Sequence, residues 1–289
     1  MHISFVILHY KTHDDTVACI ESIKNIQSSA EISIVVVDNA SNNGSYEAIS
    51  DRYRNDSNIH FIHNDTNLGF ARGNNVGYAY AKAHNVDFIA VLNNDIIIQT
   101  KTIVEDILSC YEKYRFAIMG PDVVSLVDHG HQNPPSPATS NPYVLKKRIR
   151  RYQFLRFLNQ IYLYDIAKKF FGSRVQQVNV QKKCTEYKEN VQLHGSFLIY
   201  SPDFIMHEPF AFCPETFLYT EEPILFRYCM KKTYKTLYCP DVVVFHKEDS
   251  STNHVYAKSR KKREFVFCNL IRSHKIYYRH LLQDVDQWQ

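Results

Sequence analysis

The sequence predicts an α/β fold in which a mostly parallel sheet is flanked by helices. Two observations support this prediction. Apolar strands alternate with amphipathic helices over the first 120 residues, and these strands are apolar throughout rather than on alternate positions. Strands of that kind are buried on both faces, as in a parallel sheet between helical layers. At 289 residues, with 45% hydrophobic and 22% charged residues, the chain can form a large core.

The elements of the first half follow from periodicity and from residues typical of helix starts. Four apolar runs predict strands at 3–8, 32–38, 59–64 and 87–92. The segments between and after them predict helices at 12–27, 45–55, 71–85 and 102–114. In the first helix, Val17, Ile20 and Ile23 recur at helical spacing, and Thr12 stands at the start, followed by two acids.

The second half is less regular. The segment 131–142 contains four prolines and predicts an irregular loop. Beyond it we expect helices at 143–172, 221–232 and 254–282, with strands at 190–200 and 236–246. We therefore divide the chain into a first part (1–125) whose architecture is typical of nucleotide binding, a second part (126–253) that supplies a different surface, and a basic helical segment (254–289).

Composition narrows the class of protein. The formal charge of +4 is small and no nucleic-acid-binding motif is present, so a nucleic-acid partner is not expected. Seven scattered cysteines without a CxxC pair fit a reducing compartment, and their spacing indicates no zinc site. The first apolar run is too short for a signal peptide, and no run is long enough to span a bilayer. We expect a cytoplasmic protein, soluble or peripheral at the membrane.

Polar residues follow each predicted strand of the first half, where ligands of open parallel sheets bind. Turns also favour Asn and Asp, so any one of these positions has an ordinary structural explanation. Four together indicate a site: His9 and Tyr10, Asp38 and Asn39, the segment 64–75, and Asn93, Asn94 and Asp95.

No glycine-rich phosphate-binding motif occurs in the sequence. A diphosphate would therefore need a divalent cation held by carboxylate oxygens, and Asp95 is a candidate ligand. A nucleotidyltransferase is also disfavoured, because it would need a glycine-rich basic loop after the first strand, where this chain has HYKTHDD.

Four motifs occur in order, VILHYKT, VVVDNAS, NLGFARGNN and LNNDIII, and shorter ones follow at HGSFLIYSP, FLYTEEPILFRY and CPDVVVFHKEDSS. Together they resemble the family 2 inverting glycosyltransferases of GT-A fold, and most of all the bacterial rhamnosyltransferase-like enzymes of polysaccharide assembly. The resemblance is strong to about residue 120 and patchy after it.

The resemblance implies roles for individual residues. Asp38 would contact the base or ribose of the donor, and His9 and Tyr10 would line the same pocket. The loop with Asn67 and Gly69 would bring its backbone and Arg72 toward the donor. The alternatives are a plain turn glycine at Gly69 and, for Arg72, a solvated cation at a helix start in place of a diphosphate contact. Gly195 would allow the backbone to approach the donor sugar. The DxD motif of the family falls on Asn93, Asn94 and Asp95, with Asn93 in place of the first acid. Asp95 would bind Mg²⁺ or Mn²⁺, and His246 would complete the metal shell.

The resemblance also implies a general base at the start of a helix, opposite the anomeric carbon. It falls on Glu222, with Glu221 as the alternative, just before Pro223. Acids also favour helix N-termini for electrostatic reasons alone. A single displacement would invert the configuration at the anomeric carbon.

We thus expect an inverting hexosyl- or rhamnosyltransferase that uses a UDP- or dTDP-sugar. The saccharide acceptor would be linked to a polyprenyl carrier in surface polysaccharide synthesis. The basic aromatic segment KKRIRRYQFLRF could lie on an anionic membrane; its alternative is a solvated helix with a core-facing aromatic stripe. A second hypothesis, motivated by Asn93 and Glu222, is a non-catalytic nucleotide-sugar-binding subunit of a partner transferase.

Overall fold

A computed structural model describes residues 1–171, 181–248, 260–283 and 288. Its first half alternates strands and helices as predicted, to within about three residues at each boundary: β1 (His2–His9), α1 (His13–Lys24), β2 (Glu31–Asp38), α2 (Ser45–Arg52), β3 (Ile59–His63), α3 (Gly69–Ala83) and β4 (Phe88–Asn93). These strands are parallel and lie in the order β3-β2-β1-β4. His9 pairs with Asp38, and Leu8 with Asn93, so the polar strand ends lie at one edge.

Within the described residues, the elements after β4 complete a nine-stranded mixed sheet. They include β5 (Ile96–Ile97), α4 (Ile103–Tyr114), β6 (Ile118–Ser125), β7 (Lys188–Glu189), β8 (Phe197–Tyr200), α7 (Pro202–His207), α8 (Glu221–Lys231) and β9 (Thr236–His246). Strand β8 runs antiparallel to both β4 and β6, while β9 is parallel to β6 and antiparallel to β5. The sheet is therefore parallel from β3 to β4 and mixed beyond β4.

Two apolar clusters cover the two faces of the sheet. Phe5 and Ile7 of β1 contribute to one cluster, and Val6 contributes to the other. Alternate residues of one apolar strand thus pack on opposite sides, as the sequence predicts for strands buried on both faces.

The predicted helix at 143–172 is two helices, α5 (Pro142–Gln160) and α6 (Tyr164–Phe171), while its last residue, 172, lies outside the described part. Between them Tyr162 has a φ of 63°, which a continuous right-handed helix excludes. Helix α9 (Arg260–Leu282) packs along α5, where Arg156 donates to Glu264 at 2.7 Å; its predicted start at 254–259 lies outside the described residues.

Other differences lie beyond β4. The predicted strand at 190–200 is regular only as β8, and β5, β6, β7 and α7 are missing from the prediction. None of the seven cysteines forms a disulfide. Within the described ranges, no helix combines the length and the hydropathy that crossing a membrane requires.

Candidate active site

The ends of β1, β2 and β3 form one part of the site. Asp38 is fully buried, and Nδ1 of His63 donates to its carboxylate at 2.8 Å. The backbone N–H of Ser41 donates to the same carboxylate at 3.2 Å, and the Ser41 hydroxyl makes a further short hydrogen bond. These donors hold the Asp38 carboxylate in one orientation at the edge of the sheet where ligands of such folds bind.

His9 lies beside Asp38 and is fully buried. Its Nδ1 is 2.7 Å from the Thr16 hydroxyl, and its Nε2 is 2.7 Å from the Ser45 hydroxyl. Burial lowers the pKa of His9 to about 4, so the ring is neutral at pH 7. Because both ring nitrogens have partners on α1 and α2, His9 holds these helices to the end of β1. Direct contact of His9 or the half-buried Tyr10 with a donor stays a prediction.

The loops after β1 and β2 contain a cluster of left-handed residues. Lys11, Ala40 and Asn42 have φ values of 67°, 60° and 48°. Such a conformation costs a non-glycine residue roughly 1–2 kcal/mol. The Lys11 N–H donates to the Ser41 hydroxyl at 2.8 Å, which helps to hold the two loops together. Strain of this kind concentrates at functional sites.

The NLGF loop is fixed by hydrogen bonds and by a close backbone contact. Asn39 accepts from the Leu68 N–H at 2.9 Å and donates to Asn67 at 3.1 Å. Gly69 has a φ of +80°, and a Cβ there would lie 2.3 Å from the carbonyl oxygen of Phe217. Glycine is therefore required by both conformation and space.

Arg72, on the first turn of α3, also contacts the segment that leads to α8. Its Nε donates to the carbonyl oxygen of Pro214 at 2.7 Å, and the side chain is exposed. This hydrogen bond joins the NLGF loop to that segment, and the predicted diphosphate contact of Arg72 stays a prediction.

The NND segment separates into three environments. Asn93 ends β4 with a half-buried side chain. Asn94 is buried and donates to the hydroxyls of Thr12 at 2.6 Å and Thr16 at 2.9 Å, so its amide stabilises α1. Asp95 is also nearly buried, and its Oδ1 lies 3.2 Å from Nε2 of His246.

Strand pairing brings Asp95 and His246 together. His246 pairs with Ile96 at the antiparallel contact of β9 with β5, and the Lys247 N–H donates to the Asp95 carbonyl oxygen at 3.0 Å. Nδ1 of His246 lies 2.8 Å from the side-chain oxygen of Gln132, which orients Nε2 toward Asp95. A carboxylate oxygen and an imidazole nitrogen 3.2 Å apart fit two ligands of one Mn²⁺ or Mg²⁺ ion.

Residues 194–196, just before β8, contact the remaining parts of the site. The ring of His194 lies 6.0 Å from that of His246, and burial lowers the pKa of His194 to about 4. The carbonyl oxygen of Ser196 accepts from the Asn93 N–H at 2.9 Å. The Gly195 N–H donates to Oε1 of Glu222 at 3.3 Å. This loop therefore connects the end of β4, the Asp95–His246 pair and the first turn of α8.

The two acids of α8 have different surroundings. Glu221 is 3% exposed, and one of its carboxylate oxygens lacks a hydrogen-bond partner. Burial, and then the charge of Glu222, raises its pKa to about 8. Glu222 is half-buried beside a small cavity walled by Leu193 and Leu225, and burial raises its pKa as well. Of the two, Glu222 is the better placed to meet a ligand, because only its side chain is partly exposed.

The turn before α8 is strained, and Gly195 lies close to the first turn of that helix. Tyr219 and Thr220 both have positive φ, 74° and 66°. A Cβ on Gly195 would lie only 2.9 Å from Oε1 of Glu222. The absence of a side chain at Gly195 thus leaves room for the Glu222 carboxylate. The predicted location of Gly195 beside the donor sugar stays a prediction.

Sequence reasoning missed two residues that orient the site. His63 ends β3, as His9 and Asp38 end their strands, and the same strand-end argument could have found it. Gln132 lies in the proline-rich segment, where no local pattern indicates its contact with His246.

Residues 4–174, more than half of the chain, match the sequence profile of a family described as Glycosyl transferase family 2. No curated protein matches the chain. Among solved structures, residues 1–349 of S. aureus TarS in complex with UDP align with a TM-score of 0.53 at 14% identity, over 98% of this chain and 70% of that chain. The complex of the same protein with UDP-GlcNAc aligns with a TM-score of 0.52 at 14% identity, with the same coverage.

A longer structure of S. aureus TarS aligns with a TM-score of 0.53 at 15% identity, over 86% of this chain. The chain matches only 37% of that longer protein. Together with the α/β sheet described above, these alignments show the GT-A fold.

Proposed function

Because the chain belongs to glycosyl transferase family 2, we propose that it transfers a sugar, with inversion, from a uridine or thymidine diphosphate sugar to an acceptor hydroxyl. The observation that carries this proposal is the convergence at residues 194–196. That loop lies against both the Asp95–His246 pair and the Glu222 carboxylate. A cation-binding pair for the leaving diphosphate and a base for the incoming hydroxyl are the two groups that such a displacement needs.

Each group of the site has a proposed role. Asp38 binds the nucleoside of the donor, and the NLGF loop with Arg72 lies along the diphosphate. Asp95 and His246 would hold Mg²⁺ or Mn²⁺, which when bound neutralises charge on the leaving diphosphate. Glu222 takes the proton of the acceptor hydroxyl. We keep residues 1–125 as the donor half and 126–253 as the half that supplies Glu222 and the acceptor surface.

The donor class follows from chemistry and from the structural relatives. TarS has been solved with UDP and with UDP-GlcNAc, so a uridine diphosphate sugar is the first donor to test. A hexose or rhamnose is the sugar we propose.

A lipid-linked acceptor is supported by the surface of α5. One face of this helix carries exposed residues at helical spacing: Tyr143, Lys147, Arg150, Phe154, Phe157 and, just past its end, Ile161. Phe154 is 59% and Phe157 53% exposed, so the alternative of a core-facing aromatic stripe is wrong for these two residues. Exposed aromatic rings interleaved with cations are typical of helices that lie on anionic membranes. A polyprenyl-linked saccharide would be presented there.

The decisive experiment is donor binding and turnover with UDP-, dTDP- and GDP-sugars, in Mn²⁺ and in EDTA. We expect one donor class to bind and to be hydrolysed slowly without acceptor, with Mn²⁺ required. A donor that binds but is never hydrolysed or transferred would favour the non-catalytic subunit instead. Absence of binding by any nucleotide sugar would overturn the proposal.

The membrane contact has its own test, which does not depend on turnover. Sedimentation with vesicles that contain about 30% anionic lipid should recover the wild type with the lipid. The double variant Phe154→Ser and Phe157→Ser should stay in the supernatant. The control is Met206→Ser, which removes an apolar side chain that is 70% exposed on α7. Equal recovery of both variants would contradict a membrane contact through α5.

A further inference from the structure

Three side chains capable of binding metal meet away from the Asp95–His246 pair. Cys213 and Glu215 lie in the segment between α7 and α8, and His280 lies near the end of α9. Sγ of Cys213 is 3.7 Å from Nε2 of His280, which is 3.2 Å from Oε1 of Glu215. Cys213 and His280 are buried, whereas Glu215 is partly exposed and leaves a path from solvent.

Two of the three distances between these atoms match the edges of a tetrahedral zinc site, and the third is within 4.8 Å. With Zn–S near 2.3 Å and Zn–N and Zn–O near 2.0–2.1 Å, a tetrahedron has an S···N edge of about 3.6 Å and an N···O edge of about 3.3 Å. The observed separations are 3.7 Å and 3.2 Å. Three ligand atoms at these separations can bind one ion with little movement, and water would complete the coordination.

The chemistry of the ligands also selects zinc. Thiolate and imidazole favour Zn²⁺ over Mg²⁺ or Mn²⁺, which prefer oxygen. One thiolate and one carboxylate balance the charge of the ion. Arg279 binds the other oxygen, Oε2, of Glu215, as outer-shell partners of metal-bound carboxylates do.

We propose that Cys213, Glu215 and His280 bind a zinc ion that joins α9 to the segment before α8. Binding replaces the proton of the Cys213 thiol, which is released to solvent. This site is separate from the metal pair of the proposed transfer reaction and does not depend on that function.

The ion would stabilise a segment that supports both halves of the active site. Within residues 213–217, the Pro214 carbonyl accepts from Arg72 at 2.7 Å, and the Phe217 carbonyl accepts from the Phe70 N–H at 2.7 Å. The Thr216 hydroxyl donates to the Cys213 carbonyl at 3.2 Å. Immediately after this segment, the Ser273 hydroxyl of α9 donates to the Leu218 carbonyl at 2.7 Å. Loss of the ion should therefore loosen the NLGF loop and the turn leading to Glu222 together.

The test is the metal content of the full chain, purified without a histidine tag and dialysed after loading with Zn²⁺. Mass spectrometry of the metals should find about one zinc per chain in the wild type and in Cys268→Ala, whose cysteine lies on α9 outside the cluster. Cys213→Ala and His280→Ala should retain almost none. A dialysed wild type without stoichiometric zinc would overturn the proposal.

A second measurement gives its main result on the wild type itself. Replacement of zinc by Co²⁺ in the wild type should produce thiolate-to-cobalt charge-transfer absorption, which EDTA removes. The same absorption should persist in Asp95→Ala, because that variant alters only the other metal pair. Absorption lost in Asp95→Ala, or retained in Cys213→Ala, would assign the metal to a different place and refute the site.

Discussion

Replacement of Glu222 by glutamine is the sharpest test of the candidate site. The change removes the carboxylate's ability to take a proton but keeps its size and an oxygen at the position of Oε1. That oxygen can still accept the 3.3 Å hydrogen bond from Gly195. The substitution therefore separates basicity from geometry, which an alanine variant would not do.

The expected loss is large and confined to turnover. A positioned general base contributes about 10²- to 10⁴-fold to a rate, equivalent to roughly 2.7–5.5 kcal/mol in the activation barrier. The loss of turnover in Glu222→Gln should fall within this range, because burial raises the pKa of Glu222 toward the working pH, where a general base is most effective. The dissociation constant of the donor should stay unchanged, since the donor itself requires no proton transfer to bind.

The assay is kcat and kcat/KM for the best donor across pH, with donor affinity measured in parallel. A base must be ionised to act, so the rate of the wild type should fall as pH drops through the raised pKa of Glu222. In Glu222→Gln this acidic limb should disappear. Glu221→Gln is the matched control: its side chain is 3% exposed, so its kcat should change little.

Normal turnover in Glu222→Gln would refute the assignment of the base. If Glu221→Gln instead lost turnover while Glu222→Gln kept it, the buried acid would have to reach the acceptor after a rearrangement of α8. If both variants lost donor binding, the two acids would belong to the donor site.

Three further predictions follow from the same contacts. Glu221, whose pKa rises from 4.5 to about 8, should stabilise the fold fully below about pH 4.5 and lose that contribution as pH rises through 8. Between pH 5 and pH 8, the free energy of unfolding should therefore fall by about 3.5 kcal/mol more in the wild type than in Glu221→Gln, as measured by denaturant unfolding. Gly69→Ala should lower the free energy of unfolding by about 2–4 kcal/mol, because the new Cβ would meet the Phe217 carbonyl. Gly44 also has a positive φ, +79°, but open space around it, so Gly44→Ala should lower that free energy by only about 1 kcal/mol. Equal shifts in melting temperature for the two variants would contradict the role of the Phe217 contact. Asp95→Ala should lose the gain in donor affinity that Mn²⁺ provides while keeping its melting temperature without metal, and titration calorimetry with and without Mn²⁺ measures this difference.

The order of elements in the first half could be predicted because it depends on local chemistry. Apolar runs such as 32–38 and helical spacing such as Val17, Ile20 and Ile23 are properties of neighbouring residues. The strand ends carry His9, Asp38 and Asn93, and parallel strands place their ends at one edge by geometry alone. Those facts sufficed to expect a ligand site there.

The second half could not be predicted to the same degree, because its contacts join residues far apart in the chain. Whether β8 runs parallel or antiparallel to β4 depends on the path between them, which periodicity does not encode. The sequence at the break between α5 and α6, around Tyr162, contains no proline or glycine that would predict a helix end there.

By itself, the sequence determined the fold class, the edge that carries the site and the residue types available there, since each depends on local periodicity or on a short motif. Only the tertiary structure decided which of those residues meet. It separated the buried Glu221 from the half-buried Glu222 and brought Asp95 within 3.2 Å of His246, 151 positions later in the chain. It also brought Cys213, Glu215 and His280 together, although their spacing in the sequence does not predict a metal site. Such meetings arise from the packing of strands and helices against one another, which no single segment of the chain contains.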